Sequence, residues 1–160
     1  MANLSEKVEA ELEQVELALR ELPAARRLTK LSVLELAGTA SLLSAFYHGV
    51  ENILKQSLLA RGVALPAGSA WHRDLLQAAV AHEIISTSTR DRLASYMAFR
   101  HFFTHTYGFE LDVERLRPLV EDVASAFRDF NPNSEMGMGS ARGPPKPSCP
   151  RSNSPPRTRK

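Results

Sequence analysis

This chain of 160 residues has little cysteine, no long hydrophobic run and no strand-like alternation. The lone Cys149 excludes an intramolecular disulfide and a cysteine-based zinc site, which fits a reducing, cytoplasmic compartment. No apolar run approaches the length of a membrane span, and the Glu-rich N-terminal segment is unlike a signal peptide, so we expect no membrane partner. Because β-branched residues do not alternate with polar ones, strands are not predicted either. These absences favour a helical protein.

The last thirty residues differ in composition from the rest. Residues 131–160 contain seven prolines and no Phe, Leu, Ile or Val. Such a segment cannot bury enough apolar surface to offset the entropy lost when it becomes ordered. We therefore predict a folded helical domain over residues 1–130 and a disordered Pro/Ser/Arg-rich basic tail over residues 131–160. The tail either adds weak, salt-sensitive affinity for RNA or is a solubilising extension without function.

The formal charge is distributed unevenly between these two parts. Residues 131–160 have a net charge of +5, whereas residues 1–130 have a net charge of −3. A mildly acidic folded part is not expected to carry a uniformly basic nucleic-acid surface. If RNA binds, a local patch must attract it.

The first 130 residues show helical periodicity nearly throughout. Ahead of Pro23, apolar residues recur at spacings of three and four and form one stripe with acidic residues opposite. This stripe consists of Leu4, Val8, Leu12, Val15, Leu19 and Leu22. Ser32 with Glu35 resembles a capping box that opens a long second helix, which is expected to end near Gly62.

Two further helices follow a predicted loop over residues 65–68. Ser69 is expected to cap a short third helix. Several candidate caps between Ser86 and Thr89 precede a fourth helix, which is predicted from about Arg90 to Tyr107. Gly108 is then the natural stop of that helix.

A fifth helix is expected to begin at Asp112. Pro118 lies inside its apolar pattern, so it either kinks the helix or marks its true first turn. Short loops between four or five helices are typical of antiparallel neighbours. The predicted fold is therefore all-α, an up-and-down bundle of four to five helices followed by the disordered C-terminal tail.

The fourth predicted helix places a cation and two imidazoles on one face. At 3.6 residues per turn, a polar arc of roughly 140° holds four of its side chains; they are Arg100, His101, Thr104 and His105. The complementary arc is expected to be buried and holds the aromatic residues Tyr96, Phe99, Phe102 and Phe103. Arginine presents a planar fork that matches phosphate oxygens, and histidine exchanges protons near neutral pH. The polar arc is therefore a candidate surface for handling an anion.

These residues resemble a known signature. Arg100 and His105 are separated by four residues, with the polar His101 directly after the arginine and Tyr107 two positions beyond the histidine. This pattern is similar to the Arg-x4–6-His signature of HEPN domains, and its extension to Tyr107 is similar to the HepT toxin branch. The segment 45–55, AFYHGVENILK, resembles the aromatic, Glu and Lys pattern of HEPN second helices. His101 stands where many members of that branch carry Asn.

The resemblance implies an activity, a quaternary structure and a partner. HEPN domains of this kind are metal-independent endoribonucleases without a cofactor, in which two signatures meet across a homodimer and form one composite cleft for RNA. HepT-like toxins belong to type II toxin–antitoxin systems and are neutralised by a nucleotidyltransferase antitoxin of the MNT type. In that branch the tyrosine of the signature, here Tyr107, is the group that receives AMP.

The chemistry assigns a role to each residue of the polar arc. A neutral His105 can accept the proton of a 2′-hydroxyl, while Arg100 holds the non-bridging phosphate oxygens. His101 and Thr104 are supporting residues, and Glu51 is a candidate to brace Arg100 from the second helix. A metal held by His101 and His105 is not expected, because no third ligand is evident nearby.

Structural alternatives exist for each of these residues. His105 could be packed in a helix seam, Arg100 could form an ion pair with Glu51, and Tyr107 could be a phenol at a helix end. Glu51 could also pair with Lys55 one turn away. The competing functions are a non-catalytic HEPN subunit that binds a nucleotidyltransferase partner or its substrate, and a small helical dimerisation module.

Overall fold

A computed structural model describes residues 4–105 and 111–131 of the chain. Within these ranges it contains five α-helices and one short 3₁₀ helix, with no strand. The α-helices are α1 (Leu4–Glu21), α2 (Val33–Ala60), α3 (Trp71–Ala81), α4 (Thr87–His105) and α5 (Val113–Phe130), and the 3₁₀ helix spans Ala25–Lys30. The predicted all-α bundle is confirmed. Residues 132–160, which make up nearly all of the predicted tail, lie outside the described residues.

The long helix α2 lies at the centre, and α1, α3, α4 and α5 all pack against it. Its position follows from its sequence, because it presents apolar side chains to all four of these neighbours. These buried residues include Leu43, Phe46, Val50, Ile53, Leu54 and Leu58. The predicted capping box is present: the Ser32 hydroxyl accepts from the Glu35 amide at 3.3 Å, and the Ser32 amide donates to the Glu35 carboxylate at 2.8 Å. Gly62, with φ of +71°, follows the end of the helix, as expected.

The first helix approaches α2 closely at Gly49. A Cβ atom at that position would overlap the side chain of Val15 on α1, which is itself buried. Glycine therefore sets the distance between these two helices. The apolar stripe predicted for α1 supplies Leu12 and Val15 to the core of the bundle.

Three local predictions are corrected by the structure. The 3₁₀ helix was not predicted; it is anchored by the fully buried Leu28 and packs against α5. Ser69 does not cap α3, because Ala70 occupies the N-cap position and no side chain bonds to the free amides there. Pro118 is the sixth residue of α5, so the proposal that it marks the first turn is wrong. Asp112 does cap α5, since its carboxylate accepts from the Glu114 amide at 3.0 Å.

Helix α4 begins earlier than predicted. The hydroxyl of Ser86 accepts from the Thr89 amide at 3.1 Å, so the helix starts at Thr87 rather than near Arg90. The predicted end of α4 at Tyr107 and the stop at Gly108 lie outside the described residues. None of the helices in the described part of the chain combines the length and the hydrophobicity of a membrane-spanning segment.

The aromatic arc of α4 fixes the rotation of this helix on the bundle. Tyr96 and Phe99 are buried, as predicted, whereas Phe102 and Phe103 are only partly buried. The Tyr96 ring packs edge-on against Phe46 with 5.1 Å between centroids, and its hydroxyl lies 3.0 Å from the Asp122 carboxylate of α5. With this face held against α2 and α5, the polar arc lies on the side of α4 that is next to α3, where Arg100 still reaches Glu51 of α2.

Candidate functional site

A cavity of about 410 Å³ lies between α3 and α4, with α2 beneath it. All four residues of the polar arc line this cavity, together with residues from the start of α3 and Tyr47 from α2. The full lining is Tyr47, Ser69, Ala70, His72, Arg73, Met97, Ala98, Arg100, His101, Thr104 and His105. The helical spacing therefore identified one wall of the cavity. It gave no indication of the opposite wall.

The geometry at His105 selects one form of its neutral imidazole. Its Nδ1 lies 2.7 Å from the backbone carbonyl oxygen of His101. A carbonyl only accepts, so Nδ1 carries the hydrogen and Nε2 carries the lone pair when the ring is neutral. The hydroxyl of Thr104 lies 3.1 Å from the same Nδ1 and 3.0 Å from the Arg100 carbonyl, which holds it beside the ring. His105 is therefore arranged to accept a proton at Nε2.

The second imidazole of the arc lies directly against the first. The ring centroids of His101 and His105 are 4.4 Å apart with an angle of 38° between the planes, and both side chains are exposed. The two rings therefore form one continuous part of the cavity wall on α4.

Glu51 is a buried residue beneath the cavity that bonds two of the side chains lining it. Its side chain has no exposed surface, and its carboxylate accepts from the Arg100 guanidinium at 2.7 Å and from Nδ1 of His72. The ion pair between Arg100 and Glu51, one of the alternatives from the sequence, is present. The alternative pair between Glu51 and Lys55 is wrong, since the Lys55 ammonium lies 4.3 Å from the centroid of the Trp71 ring instead.

His72 is a site residue that sequence analysis missed. It is the second residue of α3, its ring lies 3.6 Å from that of Trp71 between centroids, and its side chain is 36% exposed at the cavity. Because an ionised carboxylate only accepts hydrogen bonds, Nδ1 of His72 donates to Glu51, and Nε2 is the ring nitrogen that does not bond Glu51. Nothing near His72 in the sequence marks it, since its partner Glu51 lies 21 residues away.

Tyr47 contributes a buried phenol to the same region. Its side chain is fully buried, and its hydroxyl lies near the Glu51 carboxylate but meets hydrogen-bond geometry with no described residue. Burial raises the pKa of Tyr47 far above its usual value, and the negative charge of Glu51 raises this pKa further. The phenol therefore remains protonated and keeps a hydrogen to donate.

The charges around the cavity favour an anion. Arg73 and Arg100 line it together with three histidines, and Glu51 is the acid held beneath them. Arg100 uses Nη1 to bond Glu51 and remains 25% exposed, so other N–H groups of its fork are available to a ligand. No group of three or more metal-ligating side chains occurs within residues 4–105 and 111–131. Tyr107, the candidate modification site, lies outside these ranges.

The chain matches a known protein family. Residues 38–135 match the protein family described as HepT-like protein. No curated protein and no solved structure matches the chain. The matched segment covers more than half of the 160 residues and contains every residue that lines the cavity. The chain therefore belongs to the HepT-like family of HEPN proteins.

Proposed function

We propose that the protein is a metal-independent endoribonuclease toxin of a type II toxin–antitoxin system. The observation that carries this proposal is that the Arg100 fork and the His105 imidazole line one cavity, with Nε2 of His105 left to accept a proton. A cationic group and a proton acceptor are what cleavage of a phosphodiester by its own 2′-hydroxyl requires. Membership of the HepT-like family supports the same conclusion.

The reaction is a transesterification within the RNA strand. Nε2 of His105 accepts the proton of the 2′-hydroxyl, whose oxygen forms a bond to phosphorus while the bond to the 5′-oxygen breaks. The products are a 2′,3′-cyclic phosphate and a strand with a free 5′-hydroxyl, whose proton comes from an imidazolium. Proton transfer by positioned groups contributes about 10²–10⁴-fold to such rates. The free N–H groups of Arg100 stabilise the non-bridging oxygens as their charge grows, and His101 helps to orient the phosphate.

Two copies of the chain are expected to act together. In the proposed homodimer the two signatures converge on a composite cleft for RNA, and a histidinium of the second copy can supply the returning proton. A nucleotidyltransferase antitoxin of the MNT type would neutralise the toxin by transferring AMP to Tyr107. Because Tyr107 follows His105 by two residues, the added phosphate would bring negative charge beside the site and repel an RNA phosphate.

The test is cleavage of single-stranded RNA in the presence of a metal chelator. We expect the purified protein to cleave RNA with EDTA present, and we expect His105→Ala and Arg100→Lys to lower the rate at least 100-fold. His82→Ala is the matched control, because this exposed histidine lies just after α3 and outside the cavity lining. Expression of the wild-type protein should arrest growth, and His105→Ala should abolish the arrest while oligomeric state is unchanged. Equal cleavage by all four proteins, or none by the wild type, would contradict the proposal.

One observation favours a second candidate, a non-catalytic HEPN subunit. The ion pair between Arg100 and Glu51 gives the arginine a structural role between α2 and α4 that needs no substrate. Such a subunit would bind a nucleotidyltransferase partner or the substrate of that partner. The two candidates differ in their effect on growth: if the protein only binds, cells that express the wild-type chain should continue to grow. Recruitment of the partner should then be the measurable function, and His105→Ala should leave it unchanged.

A further inference from the structure

We propose that His72, held by the buried Glu51, is a second acid–base group of the cavity and supplies the proton that the departing 5′-oxygen receives. This inference rests on the proposed ribonuclease function and deepens it. It assigns the returning proton to His72 instead of to a histidinium of the second copy, while the composite cleft of the proposed homodimer is retained.

The first argument is the way in which Glu51 is buried. A carboxylate without exposed surface is unfavourable unless charged or hydrogen-bonded groups satisfy it. Here Arg100 and His72 satisfy one oxygen each, Oε2 and Oε1 respectively. Both of these partners line the cavity, while Glu51 lies beneath them and does not. The fold therefore places a buried anion where it fixes the direction of two cavity side chains from two different helices.

The second argument is the orientation of the His72 ring. Nδ1 donates to Glu51, and the ring packs against Trp71 with 3.6 Å between centroids and an angle of 31° between the planes. The Lys55 ammonium lies 4.3 Å from the centroid of the Trp71 ring. A histidine fixed at Nδ1 by a carboxylate exchanges its proton at Nε2, which is the usual arrangement of an acid–base imidazole.

The third argument is position. His72 comes from the first turn of α3 and His105 from the last turn of α4, and both line the same cavity. In-line displacement at phosphorus requires the proton acceptor and the proton donor on different sides of the reacting phosphate. Two imidazoles on one helix face, such as His101 and His105, cannot meet this requirement. His72 and His105 come from separate helices and can.

The charged and titratable groups around His72 come from three helices. Helix α2 contributes Tyr47, Glu51 and Lys55; α4 contributes Arg100, His101 and His105; and Arg73 and Asp74 flank it on α3. Of these groups, Glu51 bonds Nδ1 of the His72 ring, which leaves Nε2 as the nitrogen that can meet a ligand.

The proposed step is balanced in protons. The 2′-hydroxyl proton moves to Nε2 of His105, and the proton on Nε2 of His72 moves to the departing 5′-oxygen. After the cyclic phosphate and the 5′-hydroxyl strand leave, His105 is protonated and His72 is neutral. Exchange with water restores both rings, so no metal or other reactant is consumed.

The test uses His72→Asn, because the asparagine amide nitrogen replaces Nδ1 and keeps the hydrogen bond to Glu51. On single-stranded RNA we expect kcat to fall at least 100-fold with KM little changed. The wild-type rate should have a bell-shaped pH profile, and His72→Asn should lose the alkaline limb, since that limb reports the group that must be protonated. His105→Ala should lose the acidic limb instead. His82→Asn is the control and should leave the rate and both limbs unchanged.

A substrate that needs no proton donor separates catalysis from structure. Uridine 3′-(4-nitrophenyl phosphate) releases 4-nitrophenolate, which leaves without a proton. His72→Asn should cleave this ester nearly as fast as the wild type, whereas His105→Ala should remain at least 100-fold slower. His72→Gln, which retains an amide but shifts it outward, serves as a second variant if His72→Asn has a lower melting temperature than the wild type.

The outcomes distinguish this inference from the proposed function. If His72→Asn is as active as the wild type while His105→Ala is inactive, or if His72→Asn is equally slow on both substrates, His72 is not the proton donor and only this inference fails. If the wild-type protein cleaves neither substrate, the ribonuclease proposal fails and takes this inference with it.

Discussion

The buried hydroxyl of Tyr47 leads to the prediction that its removal makes the protein more stable. Most substitutions of a fully buried aromatic residue destabilise a protein. Tyr47→Phe removes one oxygen atom and keeps the ring, so the packing against the core is retained. Because that oxygen has no hydrogen-bond partner among the described residues, we expect the variant to be more stable than the wild type.

The size of the effect follows from the cost of burying a polar group. A buried donor or acceptor without a partner costs about 1–3 kcal/mol relative to its hydrated state in the unfolded chain. Removing the hydroxyl should recover the lower part of this range, about 1 kcal/mol, because a small void remains where the oxygen was. For a folded part of this size, such a change raises the melting temperature by about 4 °C.

Tyr96→Phe is the matched control. Tyr96 is equally buried, but its hydroxyl lies 3.0 Å from the Asp122 carboxylate and 3.2 Å from the Leu119 carbonyl oxygen. The same substitution there removes a hydrogen bond to a charged group, and we expect a loss of about 1–2 kcal/mol, since Asp122 is partly exposed. Urea denaturation of the three proteins at pH 7 gives both free energies of unfolding.

Opposite signs at the two tyrosines are the expected result. A loss of more than about 1 kcal/mol for Tyr47→Phe would refute the reasoning, because it would mean that the hydroxyl donates to the Glu51 carboxylate in solution.

Alkaline titration gives an independent check on the same two residues. Burial raises the pKa of both tyrosines in the folded protein, so they remain protonated where the unfolded chain ionises, above its ordinary pKa of 10.0. The stability that the two neutral, buried phenols contribute is therefore fully present below pH 10. It is lost as the pH rises further, because the unfolded chain releases the two protons first. Each tyrosine should contribute a slope of about 1.4 kcal/mol per pH unit above pH 10. Tyr47→Phe and Tyr96→Phe should each remove about half of the combined slope in denaturation at pH 10–11.5.

Two further predictions concern the scaffold. Gly49→Ala should destabilise the protein by about 1–3 kcal/mol, because the new methyl group overlaps the side chain of Val15. The control is Gly38→Ala on the same helix, whose methyl group meets nothing within 4 Å and which should be neutral or stabilising by up to about 1 kcal/mol. Equal effects of the two substitutions in thermal denaturation would contradict this account of the α1–α2 contact. Ser32→Ala should cost about 1 kcal/mol by removing the cap of α2. Hydrogen bonds from the Ser32 amide and hydroxyl lower the pKa of Glu35, so the stability that this carboxylate contributes is present above its ordinary pKa of 4.5 and is lost in acid. Ser32→Ala should weaken this loss. If the free energy of unfolding falls equally steeply between pH 5 and pH 3 in both proteins, the result would argue against the capping box.

Local sequence signals predicted the helices well where a cap or a breaker marked the end. Ser32 with Glu35 and Asp112 were identified as starts because their side chains satisfy the free amides of the first turn. The prediction that Ser69 caps α3 was wrong, because the sequence alone does not show whether the hydroxyl of a serine near a helix start bonds a backbone amide of the first turn. The 3₁₀ helix at Ala25–Lys30 could not be predicted, since it depends on burial of the single residue Leu28 against elements distant in the chain.

The candidate site was predictable along one helix and not across helices. Arg100 and His105 share a face because of helical geometry alone, so their spacing identified that wall of the cavity. The opposite wall depends on the angle at which α3 crosses α2 and α4. The periodicity of apolar residues along one helix does not predict how that helix crosses another. His72 therefore looked like an isolated histidine until the fold brought it to Glu51. Tyr47 was recognised only as part of an aromatic pattern in the second helix.

The ion pair of Arg100 with Glu51 and the phosphate-binding role proposed for Arg100 are compatible rather than competing. A guanidinium carries five N–H groups, and the Glu51 carboxylate lies beneath the cavity, so one bond to it leaves the outward edge of the fork for a ligand. The single negative charge of Glu51 offsets at most one of the two arginines that line the cavity, and the histidines add positive charge whenever they are protonated. Without Glu51, Arg100 would be a long side chain with many rotamers, and its ordering on binding RNA would oppose affinity. A buried acid under a cationic cavity would therefore weaken the electrostatic attraction for phosphate slightly, while it holds in place the side chains that we propose bind the phosphate.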